Sequence, residues 1–397
     1  MIERKDYLEN LKSFREKQII KVVTGIRRCG KSTLFEFYQQ YLISEGVDEL
    51  QIISIDFEDA DYAEIQDYKQ LYKTVSDKLI PNKMNYIFLD EVQNVDGFQK
   101  AVDSLFIKKN CDVYITGSNA YLLSGELATL LSGRYIEIKM LPLSFSEFVG
   151  AYPKSSNPER IYIDYITKSS FPYALQITKQ KDIKQYLEGI YNSVIIKDIY
   201  TRTKFSNVEM FQSVIRFMLD NIGNLVSTKK IADTMTSLGR KISVHTVESY
   251  LSALCNSFIL HKVSRYDIKG KQYLQTGDKY YVCDIGLRYF LLGANKTDDG
   301  HILENVIYLE LLRRGYEVYI GKADNMEVDF VAINEMGTEY YQVAYTVRDE
   351  KTLSRELASL NKINDHNSKY LITMDIQPLI SHNGIKQINA LDWLLDK

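Results

Sequence analysis

The sequence predicts an α/β fold with a parallel sheet at its N-terminal end, and three observations predict it. Ile19-Ile20-Lys21-Val22-Val23 runs into the glycine loop Gly25-Ile26-Arg27-Arg28-Cys29-Gly30-Lys31-Ser32-Thr33 and then into Leu34-Phe35-Glu36-Phe37, a strand–loop–helix order. Tyr86-Ile87-Phe88-Leu89 is an apolar run ending in two acids, Asp90 and Glu91. Further runs at 52–57, 112–116 and 135–139 alternate with helical stretches, the pattern of parallel strands buried on both faces.

Taken in order, residues 3–17 read as a polar helix leading into the first strand. The loop that follows matches G-x-x-x-x-G-K-[ST], the P-loop. Gly25 and Gly30 allow the backbone of residues 25–33 (Ile26, Arg27, Arg28 and Cys29 between them) to turn its N–H groups onto phosphate oxygens. Lys31 reaches the β- and γ-phosphates, Ser32 offers a hydroxyl to Mg²⁺, and the helix running on from Thr33 aims its positive end at the anion. The 86–91 run is a Walker B pattern: Asp90 serves Mg²⁺, and Glu91 orients and polarises an attacking water. A small-molecule kinase has no need of that second acid. The next strand ends in Gly117-Ser118-Asn119, where a polar side chain can reach the γ-phosphate. A helix of about a dozen residues then closes in Ser132-Gly133-Arg134. Arg134 is suited to stabilising transition-state charge, in its own site or in a neighbouring subunit, or simply to capping that helix.

The chain of 397 residues, 45% hydrophobic and 25% charged, is long enough for several folded domains. Its net charge of −3 argues against indiscriminate coating of nucleic acid. Cys29, Cys111, Cys255 and Cys283 form no CxxC pair, which fits a reducing compartment without a disulfide framework or zinc site. The N-terminus begins no signal peptide and no apolar run reaches about 18 residues, so a cytoplasmic protein without a membrane partner is expected. The 30 tyrosines fall mostly on apolar faces, where they supply bulk.

GIRRCGKST, FLDEVQ, ITGSNA, LLSGRY and LPLSFSEF, in this order and spacing, resemble the AAA-type P-loop ATPases of bacteria and archaea that carry a C-terminal domain of unknown function (4143). The resemblance covers essentially the whole chain. It implies ATP rather than GTP as the nucleotide, with Mg²⁺; it places Asn119 at the sensor-1 position and Arg134 at the arginine-finger position. Ser169-Ser170-Phe171-Pro172 stands where the family usually has Gly-Gly-x-Pro, so only a lid pivoting near Pro172 carries over.

The expected organisation is an ATPase domain over 1–150, a helical lid and connector over 151–205, a winged helix-turn-helix over 206–285 and an α/β domain over 286–397. Residues 153–158 have linker composition. Helices at 227–235 and 243–258, with a basic hairpin at 266–273, make the winged-helix pattern. Residues 226–280 hold nine Lys and Arg against four Asp and Glu, a local positive surplus in an acidic chain. The second helix, however, has no Lys or Arg and carries Glu248. Double-stranded DNA held through the hairpin and phosphates, and a winged helix used only for packing, both remain open.

In the last segment a helix carrying Glu304 precedes strands at 326–333 and 339–346, which resembles the PD-(D/E)XK nuclease-like fold. The resemblance makes Glu304 and Asp329 its metal-binding acids, with Gln342 in place of a carboxylate and Ala344 in place of the lysine; Lys351 is a candidate substitute. Little or no phosphodiesterase activity is expected. The functional expectation is an Mg²⁺-dependent ATP hydrolase acting as a switch coupled to a DNA- or protein-binding module. The alternatives are an ATP-gated metal-dependent nuclease and a nucleotide sensor that does not hydrolyse. An Arg134 acting in trans requires an oligomer.

Overall fold

The computed structural model describes residues 2–123, 131, 133–200, 207–293, 298–376 and 380–396. The chain divides into two compact units, residues 1–142 with 256–258, and residues 143–255 with 259–397.

The first unit is a five-stranded parallel sheet: β1 (Ile20–Thr24), β2 (Ile52–Asp56), β3 (Asn85–Asp90), β4 (Cys111–Gly117) and β5 (Tyr135–Lys139), in the order β2-β3-β4-β1-β5. The helices described around it are amphipathic or buried: α1 (Lys5–Ser13), α2 (Lys31–Ser44), α3 (Tyr68–Ser76) and α4 (Phe98–Phe106). Alternation along the strands feeds two cores. Ile20, Val22, Ile53, Ile55, Ile87, Leu89, Val113 and Ile115 pack against Leu71, Val75, Ala101, Val102 and Leu105 of α3 and α4. On the opposite face Phe88 stacks on Tyr114 at 4.7 Å and meets Phe35 of α2 edge-on at 5.1 Å. Burial on both sides is why these strands read as continuous apolar runs. The one cation in the β1 run, Lys21, is neutralised by the buried Asp112 of β4.

This strand order decides where the site lies. The P-loop strand β1 and the acid-bearing strand β3 are not neighbours; β4 is inserted between them. All five carboxyl ends point to one edge, where α/β sheets bind ligands.

The second unit opens with α5 (Phe145–Val149), α6 (Pro158–Thr167) and α7 (Gln180–Ser193), the last continuing into a π-helical stretch, Val194–Tyr200. Between α6 and α7, Ser169 takes φ 150°, a conformation that favours glycine, at the position where the resembled family has one. Its hydroxyl and the amide and hydroxyl of Ser170 donate to Asp284 Oδ2 at 3.2, 2.6 and 2.6 Å. The serines thus tie this segment to Asp284.

Among the described residues there follow α8 (Val208–Asp220), α9 (Thr228–Ser237) and α10 (Val244–Asn256). The hairpin after them is far longer than its basic tip, with β6 at Leu260–Asp267 and β7 at Gln272–Val282. Then come α11 (Ile285–Leu292), α12 (Asp299–Arg313), β8 (Glu317–Ala323), β9 (Met326–Asn334), β10 (Gly337–Ala344), α13 (Glu350–Asn361), β11 (Ser368–Thr373), β12 (Ile380–His382), β13 (Ile385–Asn389) and α14 (Ala390–Leu394). The strands form one eight-stranded sheet, β12-β13-β11-β10-β9-β8-β6-β7. β6 and β7 precede residue 285, where the sequence suggested a boundary, yet β6 pairs with β8 through Arg265–Ile320, Tyr266–Gly321 and Asp267–Lys322. A hairpin strand offers an open row of N–H and C=O groups, and β8, a strand unread from sequence, takes it up.

Candidate nucleotide site and a second acidic cluster

The loop between β1 and α2 is shaped by its glycines. Gly25 has φ 156°, and a Cβ there would lie 2.2 Å from the Met140 carbonyl oxygen, so no other residue fits without movement. Gly30 caps α2 at φ 107°, and Arg28 between them is also left-handed at φ 70°. Ile26 and Cys29 are buried beneath the loop, and burial pushes the Cys29 thiol up, marking it as a packing group. Arg27 pairs with Glu58, while Arg28 is exposed. From the N-terminal helix region the buried Arg4 donates to Cys29 O at 3.2 Å and Leu141 O at 2.9 Å, holding the loop's backbone to the chain beyond β5. The helix α2 starts at Lys31, so the amides of Lys31, Ser32 and Thr33 are those of a helix N-terminus.

Lys31 is buried, with its ammonium 3.1 Å from Gly25 O and 3.2 Å from Glu91 Oε1. Glu91 sits at φ 51°, a left-handed turn that costs an L-residue about 1–2 kcal/mol. Burial by itself would raise the Glu91 carboxyl. The Lys31 ammonium, the Gln93 amide and Arg27 outweigh it and hold the group below the ordinary carboxylate value. Asp90 goes the other way: burial raises it, despite hydrogen bonds from Ser32 and Thr116. Thr116 of β4 bridges the two acids, donating to Asp90 and accepting from the Glu91 amide at 2.8 Å.

Beyond β4, Asn119 is fully buried, and among the described residues neither atom of its amide has a hydrogen-bond partner. Gln93 donates to Glu91 and to Ser118 Oγ, but its own carbonyl oxygen is likewise unpartnered. Orphaned buried amides are rare and costly, about 1–3 kcal/mol each. Together with the glycine cradle and the free helix amides they fit a phosphate ligand. Ser32 and Asp90, hydroxyl beside carboxylate, are the hard oxygen donors a Mg²⁺ ion takes.

Arg134 lies elsewhere. Its carbonyl accepts from Ile20 N at 2.8 Å, and it precedes β5, so it stands at the amino edge of the sheet. The five residues of β1 separate that edge from the P-loop, about 16 Å at the rise of a strand. Its guanidinium pairs with Asp103 of α4 and lies over Phe106. A role in its own site is not available from there. The helix expected before it falls on residues 124–130 and 132, outside those described.

In the second unit Glu304 (α12) and Asp329 (β9) do come together, around a lysine the sequence reading passed over. Lys279 of β7 places its ammonium 2.8 Å from Glu304 Oε1, 2.7 Å from Glu327 Oε1 and 3.9 Å from Asp329 Oδ1. Tyr281 donates to Glu304 Oε1 at 2.5 Å, His301 Nδ1 is 3.1 Å from its Oε2, and Val343 N donates to Asp329 Oδ2 at 2.8 Å. Burial opposes ionisation of Glu304, but Lys279, His301 and Tyr281 prevail and bring it to about 2. Asp329 is raised, by burial and by Glu304. Gln342 is turned to Glu356 at 2.8 Å and Ser359 at 3.2 Å. Lys351, the suggested substitute, is exposed in the first turn of α13. Among the described residues no group of three or more His, Cys, Asp or Glu is arranged to hold a metal ion. These residues do not fit the metal a nuclease-like fold implies, because a cation already fills the space between the acids.

Sheet order, loop and acids define the first unit as a P-loop domain of the AAA type, and an AAA domain family matches residues 17–149. Residues 159–298 match a domain of unknown function, DUF8612, a different designation from the 4143 expected. The chain is 39% identical to an uncharacterized protein of Haemophilus influenzae over 100% of this chain and 99% of that one. It is 31% identical to an uncharacterized protein of Methanocaldococcus jannaschii over 86% and 78%. The chain belongs to the family these proteins form. Among solved structures it resembles a Walker-type ATPase of Pyrococcus abyssi, with TM-score 0.51, 14% identity, and 73% of this chain and 96% of that one covered, a likeness of fold. Among the described residues no helix is long and apolar enough to cross a membrane.

Sequence reading missed Arg4, Thr116, Gln93 and Lys279. Only Gln93 left a local signal, standing two residues after Glu91.

Proposed function

We propose that this chain is an Mg²⁺-dependent ATP hydrolase working as a nucleotide-driven switch, its second unit engaging a partner. The observation that carries the reading is the buried, unsatisfied Asn119 amide, next in the chain to the Ser118 that Gln93 links to an ionised Glu91: polar groups left without partners inside a protein await a ligand. The amides of residues 25–33 and the Lys31 ammonium bind the phosphates. Ser32 and Asp90 hold the Mg²⁺, which supplies charge neutralisation at the phosphates. Lys31, exchanging Glu91 for phosphate, releases that carboxylate to accept a hydrogen bond from the attacking water, while Asn119 orients the same region. Removing such a base costs about 10²–10⁴-fold. Glu91 also speaks against a sensor without hydrolysis, which needs no group for activating water. Arg134 acts on the site of a neighbouring copy, so activity rises with assembly.

Duplex DNA is the first partner to test. The exposed Arg240, Lys241, Lys269 and Lys271 between α9 and α10 and at the hairpin tip suit phosphates, and α10 lacks cations for base contacts. Steady-state ATP hydrolysis by the wild type and by Glu91→Gln, with and without duplex DNA, tests the proposal. Turnover is expected in the wild type, with near-complete loss in Glu91→Gln while ATP still binds. DNA stimulation supports the DNA partner; unchanged turnover moves the assignment to a protein partner. Absence of hydrolysis in the wild type at concentrations up to assembly overturns the hydrolase reading.

A further inference from the structure

The acidic cluster of the second unit is built for a cation but already contains one. Lys279 is 3% exposed and approaches three carboxylates, on α12 and β9, from strand β7. In the sheet, β6 and β8 stand between β7 and β9, and a register shift between Val263 and Arg265 bends the hairpin. Glu304 also takes Tyr281 and His301, and Asp329 the Val343 amide. The approach is close on another side too: a Cβ on Gly223, after α8, would lie 2.6 Å from His301 Nδ1 and 3.2 Å from Glu304 Oε2. Nothing around Glu304 and Asp329 is left for a metal to satisfy.

We infer that Lys279 is the permanent cation of this cluster, standing in the place of a divalent metal, and that removing its ammonium turns Glu304, Glu327 and Asp329 into a divalent-cation site. The Lys279 ammonium hydrogen-bonds Glu304 and forms ion pairs with Glu327 and Asp329, charge-assisted contacts that a primary ammonium can make in several directions. Unlike a metal ion it cannot be lost by chelation, and it offers no open coordination position for water or substrate. The cluster fastens the β6–β7 hairpin to α12 and β9 and does no metal-dependent cleavage. This conclusion is independent of the P-loop site.

The test is Mn²⁺ binding to full-length, nucleotide-free protein, read from the free-ion electron paramagnetic resonance signal at neutral pH. All proteins carry Asp90→Asn, so that the P-loop contributes no metal. The Lys279-containing protein and its Asp329→Asn variant should bind Mn²⁺ equally. Lys279→Met should bind one equivalent more, and adding Asp329→Asn to it should abolish the gain. A loss of bound Mn²⁺ on Asp329→Asn with Lys279 present, or no gain in Lys279→Met, overturns the inference. Should Lys279→Met not fold, Lys279→Met/Glu304→Gln provides the second readout. Deleting one negative charge along with the positive one should recover soluble, folded protein, and failure to do so counts against the charge balance proposed.

Discussion

Each unit holds a buried lysine against carboxylates, and the two clusters differ in what surrounds them. Lys31 has a carbonyl oxygen and Glu91 as neighbours, and the same unit holds an Asn119 amide and a Gln93 carbonyl that find no hydrogen-bond partner among the described residues. Lys279 is met by three acids, of which Glu304 also takes a tyrosine and a histidine and Asp329 a backbone amide. The composition is similar; the satisfaction is opposite. Unsatisfied polar groups in a low-dielectric interior cost free energy that a ligand can recover, whereas a completed network gains nothing from one. The first cluster is therefore an incomplete site and the second a finished structural joint.

The largest effect that sharpens this contrast is on chemistry. Glu91→Gln should lower ATP turnover by about 10²–10⁴-fold with little change in nucleotide affinity, measured by hydrolysis and by titration with labelled ATP. Gly25→Ala should come next, because the added Cβ meets the Met140 carbonyl. It should lose nucleotide binding and about 2–4 kcal/mol of stability in urea unfolding. At the second cluster Tyr281→Phe removes a hydrogen bond to a buried, ionised Glu304 and should cost about 1.5–3 kcal/mol. Asn119→Ala should behave in the reverse way. Nucleotide-free stability should stay within about 0.5 kcal/mol of wild type or rise, since an unmet amide is removed, while turnover falls at least about tenfold. A stability loss at Asn119 as large as that of Tyr281→Phe would erase the distinction between the clusters. Lys351→Ala, on an exposed helix turn, should change stability by no more than about 0.5 kcal/mol, as expected if Lys279 is the lysine that matters.

The nucleotide site was legible because its parts are local. Gly25, Gly30, Lys31 and Ser32 lie within one loop, and Asp90 and Glu91 are consecutive at the end of a strand whose apolar run marks it as buried. The strands of the first sheet followed from the same periodicity. Thr116 gave no such signal: it is one β-branched residue in a β-strand until β4 is inserted between β1 and β3. Arg4 reads as an ordinary surface cation near the N-terminus, yet it is buried against Cys29 and Leu141, the latter 137 residues away in sequence.

The second unit shows where sequence reasoning stops. The resemblance to a nuclease-like fold picked out Glu304, Asp329 and Gln342 as a set, and Glu304 and Asp329 do converge. Lys279 belongs to them through the path of a hairpin that looked complete at its basic tip. Arg134 could be assigned to either of two sites by sequence, and the parallel register of β5 on β1 sends it to the far edge of the sheet. The sequence by itself determined which short segments carry phosphate and acid chemistry, since backbone turns and strand periodicity depend on neighbouring residues. Only the tertiary structure decided which charges meet, because a lysine's partner is whichever carboxylate the fold brings within about 4 Å, however far apart the two lie along the chain.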